Sequence, residues 1–180
     1  IYLDRQHRRK KFLASTFLRA IGYSTDEEIL RLFYPVSVVS PSEQLTEEQL
    51  AFLVLKDDVV DTDSKSVLGH RFDPLTRKLA RQMAAIGMKS AEVFNISGDR
   101  GIMLGNVKKD DTRTTDEALR SLYAKLRPGD PATAANARQM LKNLFFDPRR
   151  FDLGRVGRYK INQKLGLSGD KEFRALDNED

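Results

Sequence analysis

Arg149, Arg150, Arg155, Arg158, Lys160 and Lys164 crowd into a stretch whose single acid is Asp152. A second cationic run, Arg5, Arg8, Arg9, Lys10 and Lys11, contains no acid. Guanidinium and ammonium groups at this density neutralise phosphates, and the chemistry they offer is binding, not bond making. If 149–164 is helical, Arg155 and Arg158 lie three apart and share a face that tracks successive phosphates. Gly154 and Gly157 then leave room for an approaching backbone. A solvated basic helix would have the same composition, so charge alone leaves both readings open.

Other chemistries find little support. His7 and His70 stand far apart, neither beside a carboxylate pair at ligand spacing. Asp57-Asp58 and Asp110-Asp111 are adjacent pairs in turn-like sequence, and adjacent side chains point apart. The glycines of Gly98-Asp99-Arg100-Gly101-Ile102-Met103-Leu104-Gly105 imitate a phosphate loop, but no Lys-Ser or Lys-Thr follows and the stretch reads as a hairpin. Asn95-Ile96-Ser97 matches a glycosylation acceptor, yet no signal-peptide pattern is visible. No serine elbow occurs, so a hydrolase triad is not expected. Cysteine is absent, which excludes disulfides and thiolate zinc sites and fits a reducing cytosol.

The chain has 180 residues and a net charge of +5, enough for one domain or two small ones. Charge is uneven: residues 1–35 carry 7 basic and 4 acidic side chains, 36–111 carry 10 and 12, and 112–180 carry 14 and 10. The basic ends read as helical. Phe12, Leu13, Phe17, Leu18 and Ile21 line one helical face before Gly22, and Thr25 with Glu28 forms a capping box for a second helix ending at Pro35. In the middle, Val36–Val39 is strand-like, and Thr46–Leu55 fits helix or strand. Val67-Leu68, a helix from Asp73-Pro74 to Gly87, and Ala91–Ile96 read as a β-α-β unit. Further on, Thr114 and Glu117 cap a helix broken by Arg127-Pro128-Gly129, Ala132–Phe146 forms another, and Asp152 starts a third through Leu165.

The expected fold is therefore α+β. Residues 1–35 and 112–167 form a helical lobe, and 36–111 an inserted α+β subdomain projecting from it. Residues 168–180 are a polar tail whose Asn178-Glu179-Asp180 reads as the start of a missing helix. The opening Ile1-Tyr2-Leu3 reads as a cut inside a strand, and the whole as a fragment without its own catalytic centre.

Three runs carry a resemblance: Leu122-Tyr123-Ala124-Lys125-Leu126-Arg127-Pro128-Gly129-Asp130-Pro131; Leu144-Phe145-Phe146-Asp147-Pro148-Arg149-Arg150-Phe151-Asp152-Leu153; and Val156-Gly157-Arg158-Tyr159-Lys160. In order and spacing they resemble the bacterial RNA polymerase β subunit. Arg8-Arg9-Lys10-Lys11, Leu18-Arg19-Ala20-Ile21-Gly22-Tyr23 and Glu28-Ile29-Leu30 resemble an upstream stretch of it. This family usually reads Asp-Arg-Arg-Arg-Lys-Leu-Pro before the first helix. Here Arg5-Gln6-His7 intervenes after Asp4 and Leu13 replaces the proline, implying an extra turn of chain.

The resemblance implies the lobe, one jaw of the DNA cleft, contacting promoter and bubble DNA within a DNA-directed nucleotidyltransferase of the bacterial cytoplasm and nucleoid. It places Arg127 and Arg158 against DNA, with Arg155, Lys160, Arg8, Arg9, Lys10 and Lys11 as weaker candidates. No cofactor is expected in this piece, because the catalytic magnesium belongs to a triple-aspartate loop of a partner subunit. The implied partners are DNA, the β′ and α subunits and sigma factor, with no membrane. Residues 36–111 match the family pattern poorly and read as a lineage-specific insertion where transcription regulators dock. The alternatives are a protein-interaction module built on 36–111 and a stand-alone nucleic-acid-binding regulator.

Overall fold

A computed structural model describes residues 11–41, 45–167 and 174–176. The chain is α+β, and its described residues divide into two compact units, one of them Lys11–Thr115 and the other starting at Asp116.

In the first unit, helix α1 (Ala14–Ile21) ends at Gly22, whose φ of 130° suits a residue without Cβ. Helix α2 (Asp26–Arg31) starts as the sequence dictates: the Thr25 hydroxyl accepts from the Glu28 amide at 3.1 Å, and the Thr25 amide donates to Glu28 at 2.9 Å. The window 46–55 holds both structures that its pattern allowed. Thr46 caps a one-turn helix, α3 (Glu47–Leu50), and strand β2 (Leu53–Leu55) follows.

Strands β1 (Val36–Val39), β2 and β5 (Ala91–Asn95) form an antiparallel sheet in the order β1-β5-β2. Successive strand residues face opposite sides. Phe94 and Val54 join Ile29, Leu30, Tyr34, Met103, Leu104 and Val107 in one core. Val93, Leu53 and Leu55 join Leu75, Leu79 and Met83 in another. Both faces of β5 are thus covered.

The expected β-α-β unit does not form. Strand β4 (Val67–Gly69) pairs with β3 (Val59–Val60) across the acidic turn, while β5 pairs with β1 and β2. Helix α4 (Arg77–Ala85), capped by Thr76, therefore links two antiparallel sheets instead of crossing over between parallel strands. Gly69 marks the closest packing of this region: a Cβ there would stand 2.9 Å from Leu79 Cδ2 and 3.0 Å from Leu55 Cδ1.

The hairpin expected over the glycine run is instead helix α5 (Ile102–Lys109). Its cause is Asp99, whose carboxylate accepts from the Gly101 amide at 2.9 Å and the Met103 amide at 2.8 Å, with Gly101 left-handed at φ 78°. Tyr34 locks this cap. Its hydroxyl donates to Asp99 at 2.7 Å and accepts from the Leu104 amide at 3.1 Å. Burial, and next the Asp99 carboxylate, push the Tyr34 hydroxyl up to about 12, so it remains a donor throughout the physiological range. Tyr34→Phe is expected to cost about 1–3 kcal/mol in urea unfolding, because a buried partner loses its hydrogen bond.

The N-terminal helices do not stand apart from the middle. Ile29 and Leu30 of α2 are fully buried against the sheet and α5, so residues 11–35 and 36–111 share a core. The apolar face of so short a helix finds its cover in the adjoining sheet.

The second unit contains most of α6 (Thr115–Leu126), α7 (Ala134–Leu141), a π-helical turn Lys142–Phe146 and α8 (Gly154–Leu165). Its buried apolar side chains include Ala118, Leu119, Leu122, Ala137 and Leu141. Thr133 caps α7, accepting from the Asn136 amide at 3.2 Å. Phe145 meets Phe146 and Phe151 edge-on with centroids 6.2 Å apart. Residues 174–176 form a strap across this region: the Arg174 carbonyl accepts from the Leu153 amide at 2.9 Å, and the Leu176 amide donates to the Phe145 carbonyl at 3.1 Å. The helix expected to start at 178–180 lies outside the described residues.

Candidate nucleic-acid interface

Helix α8 carries Arg155, Arg158, Lys160 and Lys164 and no acidic residue. Asp152 lies before it and its carboxylate accepts from the Gly154 amide at 2.7 Å, so the start that the sequence assigned to Asp152 is made, one residue outside the formal cap. Gly154 is needed for its φ of 64°. No backbone approaches either helix glycine among the described residues, and a Cβ on Gly157 would make only an ordinary 3.4 Å contact with Leu153.

The two arginines expected to share a face are separated by the edge of the buried face. Arg155 is exposed, whereas Arg158 is 4% exposed. The Arg158 guanidinium donates through Nη2 to the Ala175 carbonyl of the strap and through Nη1 to Asn162 at 3.3 Å. A buried guanidinium needs such acceptors, and Ala175 offers one from a fully buried position. Arg158 thus fastens the strap and does not point into solvent. Nothing in the local pattern of α8 reveals this, because the acceptor comes from 17 residues downstream.

Arg127 lies exposed just beyond α6, its amide held by the Tyr123 carbonyl at 2.8 Å, and its guanidinium pairs with no described residue. Lys160 is exposed on α8 and Lys11 is exposed in the first unit. Arg8, Arg9 and Lys10 lie outside the described residues. The structure therefore brings Arg127, Arg155 and Lys160 into one unit, on two elements, and assigns Arg158 to internal support.

Some cations of the chain are already paired within their own unit. Lys56 is bonded to Glu92 and stands 3.4 Å from Glu27 and 3.7 Å from Asp57. Chiefly the Glu92 bond raises its ammonium above the usual lysine range. Arg31 pairs with Glu27 at 2.8 Å, Arg113 with Asp26 at 3.6 Å, and Arg77 with Glu47. By contrast Arg155, Lys160 and Lys164 form no ion pair among the described residues. Lys164, part of the cationic run but not of the set that the resemblance placed against DNA, joins the same exposed set on the helix.

Among the described residues no three His, Cys, Asp or Glu side chains converge as metal ligands. Asp110 is buried and Asp111 exposed, the Asp58 carboxylate accepts from the Arg71 amide at 2.6 Å, and exposed His70 lies 3.8 Å from Asp58. No described helix is long and apolar enough to cross a membrane.

Residues 85–180 match the family model described as RNA polymerase Rpb2, domain 2. The chain belongs to this family. The Rpb2 domain 2 match spans β5, α5 and all of α6 to α8, and so includes Arg127, Arg155, Arg158 and Lys160. One similar protein is the DNA-directed RNA polymerase subunit beta of Methylacidiphilum infernorum, 43% identical over an alignment of 192 positions that takes in the whole chain and 15% of that protein. The corresponding subunit of Chlamydia trachomatis serovar L2 is 41% identical over 96% of the chain and 14% of that protein. That of Protochlamydia amoebophila is 38% identical over the whole chain and 15% of that protein. The chain thus spans about one seventh of these relatives' length. Their alignments run through the middle segment too, so residues 36–111 are shared with these relatives.

Proposed function

We propose that this Rpb2 domain 2 chain forms one jaw of the DNA cleft of a bacterial RNA polymerase and holds promoter and bubble DNA by its backbone. The supporting observation is the acid-free exposed face of α8, where Arg155, Lys160 and Lys164 have no ion-pair partner among the described residues. A cation already paired within its own fold has little left to offer a phosphate. An unpaired one releases condensed counterions on binding. Arg127, Arg155 and Lys160 act directly, Arg158 acts by holding the strap, and Lys11 with Arg8, Arg9 and Lys10 extends the charge elsewhere. Phosphate contacts of this kind fix position without reading sequence.

Nucleotidyl transfer belongs to the complete enzyme. In this reading the catalytic magnesium is held by a partner subunit. The β′, α and sigma subunits are the expected partners, in a cytoplasmic, nucleoid-associated assembly. Regulators docking on 36–111 are a further part of this reading.

The test is fluorescence anisotropy of a labelled duplex against salt. Binding is expected to be weak and steeply salt-dependent, and Arg127→Glu with Arg155→Glu should flatten the log–log slope by about 1 per lost phosphate contact. The same pair should shorten open-complex lifetime in a polymerase reconstituted with the full-length subunit. Tight, sequence-selective binding with little salt dependence, or no response to charge reversal, would refute the proposal.

A further inference from the structure

Within residues 36–111 charge is sorted along the chain. All 12 acids of that segment lie outside 74–91, which holds four of its 10 bases, Arg77, Lys78, Arg81 and Lys89. The stretch is therefore +4, and the remainder of the segment, with six bases and 12 acids, is −6. Helix α4 presents these cations to solvent. Leu79 and Met83 enter the core around Val93, which turns the opposite face of the helix outward. On that face Lys78 and Arg81 stand three residues apart, and exposed Ala84 and Ala85 follow them. Gly87, left-handed at φ 74°, lies past the end of the helix, with exposed Lys89 just beyond it. Arg77 is paired with Glu47 of α3, whereas Lys78, Arg81 and Lys89 form no ion pair with any described residue.

Two kinds of anion could meet such a face: the backbone of a nucleic acid, or a run of carboxylates on another polypeptide. A duplex carries one negative charge per about 1.7 Å of its axis and cannot present only a part of that charge. It would meet the acids around α4 along with the helix. Glu47, bonded to Arg77, and its neighbour Glu48 are exposed beside the first turn, and the −6 of the remaining segment repels a polyanion at longer range. The surroundings of α8 differ, because residues 112–180 carry 14 basic and 10 acidic side chains. A short stretch of Asp and Glu needs only the outward face of α4. The small side chains of Ala84 and Ala85 let its backbone come close. Each exposed ion pair contributes little, so docking of this kind is transient and weakened by salt.

We infer that the outward face of α4 is a docking site for an acidic segment of a partner protein, with Lys78 and Arg81 pairing with its carboxylates and Lys89 extending the contact past the helix end. This rests on the reading of 36–111 as the part of the chain that regulators meet, and gives that reading a location and a partner chemistry. Complementary charge of this kind chooses the partner and speeds encounter more than it tightens the complex.

The probes are a short labelled poly-L-glutamate peptide and a labelled duplex, each titrated with the 180-residue chain and followed by anisotropy. Peptide titrations start from a chain carrying Arg155→Glu and Lys160→Glu, which silences the cations of α8. Adding Lys78→Glu and Arg81→Glu to it is expected to weaken polyglutamate binding by about fivefold or more, the loss of two exposed ion pairs. Urea unfolding should stay as it was, because both side chains are exposed. Lys78→Arg with Arg81→Lys, which keeps both charges, should retain the affinity. Introduced into the parent chain, the α4 reversal should leave duplex binding and its salt slope unchanged. Equal polyglutamate affinity with and without the α4 reversal, alongside intact duplex binding by the parent, overturns the docking site alone. A reversal that weakens duplex binding as much as polyglutamate binding assigns α4 to nucleic acid and overturns the proposal. Polyglutamate binding that depends on α4 in a chain that binds no duplex supports the site and refutes only the DNA reading of the second unit.

Discussion

Replacing Arg19 with methionine is expected to destabilise the Lys11–Thr115 unit by about 3–5 kcal/mol, the cost of stranding a buried charge. The guanidinium is 1% exposed and donates to the Ser24 carbonyl and to Asp26, with its Nε 4.0 Å from the buried Asp110 carboxylate. Methionine fills similar space but leaves Asp110 without its counter-charge. Urea unfolding of the chain measures the loss. Arg77→Met, which breaks an exposed pair with Glu47, should cost under about 1 kcal/mol. An equally small loss at Arg19 would show that the cluster does not hold this unit together.

The pH dependence sharpens the test. Burial raises the Asp110 carboxyl, but hydrogen bonds from the Thr112 hydroxyl at 2.6 Å and amide at 3.0 Å help to outweigh it, and the net shift is below the ordinary value of 3.8. A lowered folded-state pKa stabilises above the unfolded value and loses that contribution as pH falls through the folded one. The parent chain should therefore lose stability as pH drops below about 3.8. In Arg19→Met the Asp110 carboxyl should titrate higher, so the two stability curves converge in acid.

Arg158→Met should loosen the strap, at a cost of about 1.5–3 kcal/mol for a hydrogen bond made by a charged group. Its guanidinium holds the Ala175 carbonyl, and Arg174 within the same strap is exposed and only 3.5 Å from Asp152. Limited trypsin digestion should cut faster after Arg174 in the variant. The salt slope of duplex binding should remain that of the parent. If instead stability is unchanged and the slope falls, Arg158 is a direct phosphate ligand and the strap does not need it. Lysine is not expected to substitute, because one ammonium cannot reproduce the divergent donors serving Ala175 and Asn162.

Local signals in the sequence were read well. Thr25 with Glu28, and the stops at Gly22 and Gly87, specify structure within a turn of themselves and stand where they were expected, whereas the helix expected from Asp73-Pro74 starts only at Arg77, behind the Thr76 cap, because Pro74 is taken up in a bridge with Val54. Asp99 carried a legible signal too, an acid just ahead of Ile102-Met103-Leu104, but the glycines around it favoured a hairpin. What could not be read was pairing across distance. Nothing in Val67–Gly69 states that it joins Val59–Val60 and leaves β5 to β1 and β2. The candidate site divides the same way. The charge of α8 was visible at once, whereas which arginine lies beneath Ala175 depends on a distant strap.

Strand β5 imposes a rule on sequence drift. Phe94 and Val93 are neighbours in the chain but members of different cores. Volume lost at 94 can be recovered only from the set around Val54 and Met103, and volume lost at 93 only from Leu53, Leu55 and Met83. Compensating changes among relatives should therefore sort into two independent groups that interleave residue by residue along one five-residue strand.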